Sequence, residues 1–298
     1  MSRAPDPVVA LAPGRAYLLL DVFAERPLEG NQLAVFTAAE GLDEGTMQAL
    51  ACEMNLSESV FLLPPRAGGD ARLRIFTPSE ELPFAGHPVL GASVVVAQEA
   101  GRDEVALETG AGEVRVRLEP ADGRSRSGVM EQPLPEILPF AGERELLAAL
   151  GVAAALAPVE EYRNGPRHLM VMLGSEAEVA ALDPDPRALR EIAVGLCVSC
   201  FAGAGTRFKT RMFAPGLGVD EDPATGSAAG PIAVHACRHG AANHGRELEI
   251  RQGIEIGRPS LLRACAEVSA DGALASVRVG GTAVFVGRGE VWPAGSPT

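Results

Sequence analysis

Residues 74–92 read Arg74-Ile75-Phe76-Thr77-Pro78, six further residues, then Ala85-Gly86-His87-Pro88-Val89-Leu90-Gly91-Ala92. Residues 211–230 read Arg211-Met212-Phe213-Ala214-Pro215, nine further residues, then Thr225-Gly226-Ser227-Ala228-Ala229-Gly230. Each stretch is an R-x-F-x-P strand end, a loop with acidic residues and proline, and a tripeptide of a small residue, Gly and a polar residue. An Ala/Val-rich helical stretch follows each, at Val89–Glu99 and Pro231–His239. The flanks repeat as well. Strand 31–36 precedes a helical segment near 43–54, where Met47, Leu50, Ala51 and Met54 fall at helical spacing. Strand 168–173 precedes one near 186–196, with Leu189, Ile192, Ala193 and Leu196. Strands at 59–63 and 198–202 follow these helices. Ordered agreement over about a hundred residues indicates an internal duplication rather than chance likeness of Gly/Pro loops.

The duplication predicts an α+β fold of two pseudo-symmetric halves, each a curved sheet around a helix. The polar stretch Pro120–Gly128 is read as the junction, giving halves 1–127 and 128–298. Later strands at 248–250, 274–279 and 283–286 are expected to complete the second half, the last of them able to return to the first.

Composition bounds the function. The chain has 298 residues, 47% apolar but only 4% aromatic, so its core is built from Ala, Val, Leu and Ile. A net charge of −13 repels phosphate backbones and anionic bilayers, so neither nucleic acid nor a membrane is an expected partner. No apolar run reaches the roughly 18–20 residues of a membrane span, and Met1–Pro7 has no secretory apolar region, so a cytoplasmic location is expected. Five scattered cysteines do not form a disulfide framework. Cys197-x-x-Cys200 lies in an apolar stretch without a second pair or nearby histidines, and reads as core packing.

A small-Gly-polar tripeptide at a helix start has a chemical use. First-turn N–H groups lack intrahelical acceptors and carry partial positive charge, and Gly lets a ligand approach the backbone. Pro88 suits the first helical position and Ser227 an N-cap. Each tripeptide is therefore either a carboxylate cradle or simply a helix start. Glu58, just before an apolar strand in Asn55-Leu56-Ser57-Glu58-Ser59, can reach a cleft between the halves. Beside apolar walls its pKa would rise, which suits a group that both takes and returns a proton. His87 and Asp222 lie in or beside the tripeptide loops and can hold substrate or carry a proton.

Together, Gly30-Asn31-x-x-Ala34-Val35-Phe36, Asn55-Leu56-Ser57-Glu58-Ser59, Pro83-Phe84-Ala85-Gly86-His87-Pro88, Gly165-Pro166-Arg167-His168 and Asp222-Pro223-Ala224-Thr225-Gly226-Ser227 resemble the phenazine-biosynthesis PhzF-like isomerase family over residues 17–290. The resemblance implies the diaminopimelate-epimerase fold, with the active site between two barrel-like halves. It implies an isomerase moving a proton on a small carboxylate, as in isomerisation of 2,3-dihydro-3-hydroxyanthranilate, with no metal or organic cofactor and commonly as a homodimer. Glu58 matches the family's catalytic glutamate. His87 and Asp222 match further catalytic positions, and Gly86, Gly226 and Ser227 substrate-binding ones, with Asn31 and Ser57 beside them. Gln32 stands where members often carry proline, which leaves the substrate open.

Related racemases use two opposed cysteines, but the matching positions here are Ala85 and Thr225. A two-thiol mechanism is thereby excluded. A single carboxylate transferring a proton along one face remains. Two alternatives stay open: a lyase, in which proton abstraction expels a hydroxyl, and a non-catalytic small-acid binder.

Overall fold

The computed structural model describes residues 14–293; the Met1–Pro7 stretch lies outside them. The first half runs β1 (Arg15–Val22), β2 (Asn31–Phe36), α1 (Glu44–Met54), β3 (Glu58–Leu63), β4 (Ala71–Phe76), β5 (Glu81–Leu82), α2 (Gly86–Ala100), β6 (Glu104–Thr109), β7 (Gly112–Leu118) and β8 (Ser125–Glu131). The second runs β9 (Glu136–Pro139), α3 (Glu143–Leu150), β10 (Glu160–Arg163), β11 (Arg167–Met172), α4 (Glu176–Ala180) and α5 (Pro186–Ile192). It continues through β12 (Cys197–Ala204), β13 (Arg207–Ala214), β14 (Val219–Asp222), α6 (Gly226–Arg238), β15 (Leu248–Gln252), β16 (Ser260–Val268) and β17 (Leu274–Val291).

Pairing follows the same series in both halves. From β1 through β2, β3, β4, β6 and β7 to β8 the pairs are antiparallel, parallel, antiparallel, parallel, antiparallel and antiparallel. From β10 through β11, β12, β13, β15 and β16 to β17 the series is identical. The predicted pseudo-symmetry is therefore present in the hydrogen-bond ladders themselves.

Each ring is closed by chain from the other side of the repeat. The C-terminal part of β17 pairs with β1, closing an eight-stranded barrel with β8. The N-terminal part of β17 pairs with the end of β8, and β9, continuing from β8, pairs with β10. The sequence boundary at 127/128 thus falls inside β8, and Ser125–Gly128 of the expected junction is strand. The strands expected at 274–279 and 283–286 are one continuous β17.

The central helices are apolar on every side because a barrel surrounds them. Val89, Leu90, Val94 and Val95 of α2 and Ile232, Ala233 and Val234 of α6 are at most 1% exposed. Each such Val, Leu or Ile side chain contributes about 1.5–3 kcal/mol on burial. Outside the first barrel, α1 covers stacked Phe36 and Phe61 (centroids 4.6 Å apart) and edge-on Phe76. Cys197 and Cys200 are both buried, and burial pushes the Cys197 thiol up to about 12 and Cys200 also upward. Three apart on a strand, they face opposite sides and pack separately.

Candidate active site

The two tripeptides meet. A Cβ placed on Gly86 would lie 2.7 Å from the backbone carbon of Gly226 and 2.7 Å from the nitrogen of Ser227. One on Gly226 would meet Phe23 at 2.9 Å and the carbonyl carbon of Gly86 at 3.1 Å. The N-termini of α2 and α6 therefore abut through glycine, one from each half, and their first-turn N–H groups converge.

The start of α6 departs from expectation. Helix was expected from Pro231, with Ser227 in a capping role; instead Thr225 is the N-cap residue, without a side-chain cap bond, and Pro231 lies inside the helix. Proline has no N–H, so the carbonyl of Ser227, four residues earlier, loses its intrahelical partner. The Asn164 side-chain amide donates to that carbonyl at 2.9 Å, and Gln132 donates to the Gly226 carbonyl at 2.8 Å. Ser227 turns its hydroxyl to His168 Nε2, 3.1 Å away, instead of capping. Pro88 likewise falls third in α2, after Gly86 and His87, still within the turn where a missing N–H costs nothing.

Glu58 opens β3, and parallel pairing with β2 sets its backbone opposite Leu33. Its side chain reaches a cavity of about 220 Å³ lined also by Ser57, Gly86, His87, Asp222, Gly226 and Ser227. That volume lies below the roughly 300–1,000 Å³ of sites for drug-sized ligands. Glu58 Oε2 is buried without a hydrogen-bond partner, 3.5 Å from His87 Nδ1. Burial first, and the Asp222 charge second, hold the Glu58 carboxyl well above the ordinary carboxylate range. His87 is 3% exposed, and burial drives its pKa down to about 3, against a weaker backbone contact with Gln32. It is neutral at working pH.

Asp222 has an opposite surrounding. Its Oδ1 accepts from Asn31 Nδ2 at 2.9 Å and Ser57 Oγ at 3.2 Å; its Oδ2 accepts from Thr225 Oγ1 at 2.6 Å. Burial lifts its pKa to about 6, and the three donors oppose the rise. When the Glu58–Asp222 pair holds one proton, these donors keep the charge on Asp222 and leave the proton to Glu58. Asn31 does not line the cavity. It sits one layer behind, binding Asp222 and the Ala224 carbonyl (3.0 Å). Asn31 is positioned by the left-handed turn at Gly30 (φ +68°), clamped from the second half by Arg258, which donates to the Gly30 carbonyl at 2.9 Å and Asp21 at 2.6 Å.

Four residues of this frame were not singled out from sequence: Gln132, Asn164, His168 and Gln252. Gln252 Nε2 donates to the Asp222 carbonyl (2.8 Å) and Thr225 Oγ1 (2.9 Å), while its Oε1 accepts from Thr225 N–H (3.1 Å). Replacing Gln252 by Leu strands three buried polar groups, and is expected to lower unfolding free energy by about 2–4 kcal/mol. Urea denaturation checks this; a loss under about 0.5 kcal/mol would show that the loop holds Asp222 without it.

The comparisons agree with this geometry. A family model described as "Phenazine biosynthesis-like protein" matches residues 20–289. The trans-2,3-dihydro-3-hydroxyanthranilate isomerase of Pseudomonas fluorescens is 49% identical over 275 residues, spanning 92% of this chain and 98% of that one. A crystal structure of a Bacillus anthracis phenazine biosynthesis protein of the PhzF family superposes with a TM-score of 0.82 at 23% identity, covering 94% of this chain and 99% of that one. A probable proline racemase of Agrobacterium radiobacter shares the fold at 15% identity and TM-score 0.60, over 93% and 92% of the two chains. With the paired barrels, the abutting helix starts and the carboxylate between them, these matches show that the chain belongs to the phenazine biosynthesis-like family and is a PhzF-like isomerase.

Proposed function

We propose that the chain isomerises a small cyclic carboxylate of the 2,3-dihydro-3-hydroxyanthranilate class by proton transfer through Glu58, without a cofactor. The observation that carries this reading is Glu58 Oε2: buried, unpartnered, and beside two converging helix N-termini. A buried carboxylate oxygen without a donor is costly unless a ligand completes it.

In this reading the substrate carboxylate lies against the first-turn N–H groups of Gly86, His87, Gly226 and Ser227. The Glu58 carboxylate takes a proton from a ring carbon, and the electron pair left behind delocalises through the adjacent unsaturation. Glu58, now the acid, returns that proton to another carbon on the same face. No atom is gained or lost, so the product is an isomer. Neutral His87, 3.5 Å from Glu58, orients the shuttle, and Asp222 keeps its proton affinity high.

The test is turnover of trans-2,3-dihydro-3-hydroxyanthranilate in D₂O, followed by NMR. Isomer formation with a single proton moved supports the reading. Release of a dehydrated product would replace it with the lyase, and tight binding with neither turnover nor exchange would indicate a binder.

Activity requires ionised Glu58, so kcat/KM falls as pH drops through its raised pKa. Asp222 contributes to that rise by like-charge repulsion. Asp222→Asn is therefore expected to move the acid limb to lower pH in whatever activity survives. An unmoved limb in the pH profile would remove Asp222 from the electrostatics of Glu58. We also propose a homodimer, which the family resemblance implies, so light scattering should give about twice the chain mass of 30.9 kDa. No described helix is long and apolar enough to cross a membrane.

A further inference from the structure

The far end of α6 carries a second cluster, separate from the cavity. His235 and His239 are four residues apart, so they share one side of the helix where it ends. Glu160, the first residue of β10, reaches them from the barrel wall. Its Oε2 lies 3.4 Å from His235 Nδ1 and 3.2 Å from His239 Nε2, and all three ligand atoms fall within 4.8 Å of one another. Ligands bound at about 2.0–2.1 Å in a tetrahedron stand about 3.3–3.4 Å apart, which two of these three edges already match.

We propose that Glu160, His235 and His239 form a divalent transition-metal site, of zinc type, between the C-terminal end of α6 and the start of β10. The donor set, two imidazoles and one carboxylate, suits Zn²⁺ and leaves a fourth position for water. His235 is fully buried, and Glu160 is turned from β10 toward both imidazoles. The helix carbonyl end adds partial negative charge.

Two neighbours bear on the charge balance. Arg238 contacts Glu160 through the other carboxylate oxygen, Oε1, at 3.0 Å, so Oε2 is the oxygen that faces the two histidines. The Tyr162 hydroxyl lies 3.1 Å from Glu160 Oε2 and 3.2 Å from His235 Nδ1, and donates to the carboxylate. His239 is 23% exposed, which gives the ion a way in. The site is about 12 Å along α6 from Ser227, too far to touch substrate. Its effect is to tie the helix to β10, and so to the barrel that holds the Ser227 end.

The test is calorimetric titration of the metal-stripped full chain with Zn²⁺, with Co²⁺ absorption as the geometric readout. One ion per chain and intense tetrahedral Co²⁺ bands are expected. His239→Ala, at a half-exposed helix end, and Glu160→Gln, which keeps the side-chain shape, should each weaken binding by about 100-fold or more. Both should retain isomerase turnover. Absence of binding in the wild type, or binding that survives both substitutions, overturns the proposal; the second outcome would point to adventitious sites elsewhere. Its failure leaves the isomerase reading untouched, because no step of that reaction uses these residues.

Discussion

Glu58→Gln is expected to lower kcat/KM by at least about 10³-fold while leaving substrate binding within a few-fold. Gln keeps the shape and the polar end but cannot accept and return a proton. The cradle of N–H groups is on other residues, so affinity should survive. Solvent deuterium should no longer enter the substrate. The same substitution carries a stability signature of opposite sign. A carboxyl whose folded-state pKa is raised contributes stability fully below its unfolded value of about 4.3, and that contribution is lost as pH rises through the folded value. Wild type at pH 8 must bury the charge, whereas Gln cannot ionise. The variant should therefore melt above wild type at pH 8, with the gap closing toward pH 4. Equal turnover in the two proteins would end the proposed mechanism. Equal Tm at pH 8 would instead place the Glu58 carboxylate in water.

Gly86→Ala is expected to be among the most damaging small changes in the chain, costing more than about 3 kcal/mol or preventing accumulation of folded protein. Its Cβ would stand 2.7 Å from backbone atoms of Gly226 and Ser227. Backbone cannot rotate away as a side-chain tip can, so the two helices must separate. That separation would also pull apart the N–H groups offered to the substrate, and any folded residue of the variant should bind carboxylate weakly. Gly45→Ala in α1 is the control. Its Cβ meets only the Asp43 side chain at 3.5 Å, and alanine favours the helix, so a gain of about 0.5–1 kcal/mol is expected. Thermal unfolding of both variants checks the contrast. A Gly86→Ala protein as stable as wild type would mean that the helix starts are free to move apart.

The duplication was legible because it rests on local motifs, R-x-F-x-P and the Gly tripeptides, that survive in order. Gly86, His87, Gly226 and Ser227 could be gathered from the tripeptides, Asp222 from the loop before the second, and Ser57 and Glu58 from the segment Asn55–Ser59, and they line one cavity. The supporting amides could not. Gln132, Asn164 and Gln252 look like surface residues in a string of letters, and only long-range packing makes them buried partners. His168 stood within a quoted motif, but nothing local pointed it at Ser227. Between the strands expected at 274–279 and 283–286 stand Gly280 and Gly281. They are places where neighbours come too close for a side chain: a Cβ on Gly280 would meet the Gly128 carbonyl at 2.8 Å, and one on Gly281 would meet Phe23 at 2.3 Å. Pro231, read locally, suggested a helix start. A carbonyl satisfied from another element let the helix run through it.

The exchange of closing strands has a consequence for the order in which the molecule can assemble. The first barrel lacks a wall until residues 283–291 are available to pair with β1 and β8. During synthesis its helix α2 therefore has an incomplete sheet around it while more than half of the chain is still to be made. The N-terminal half made alone should expose apolar surface and associate rather than fold. Partners so distant in sequence also make nucleation slow, since the loop must close before any pairing offsets its entropy. The two barrels are better regarded as one folding unit tied by a mutual loan of strands than as domains in tandem.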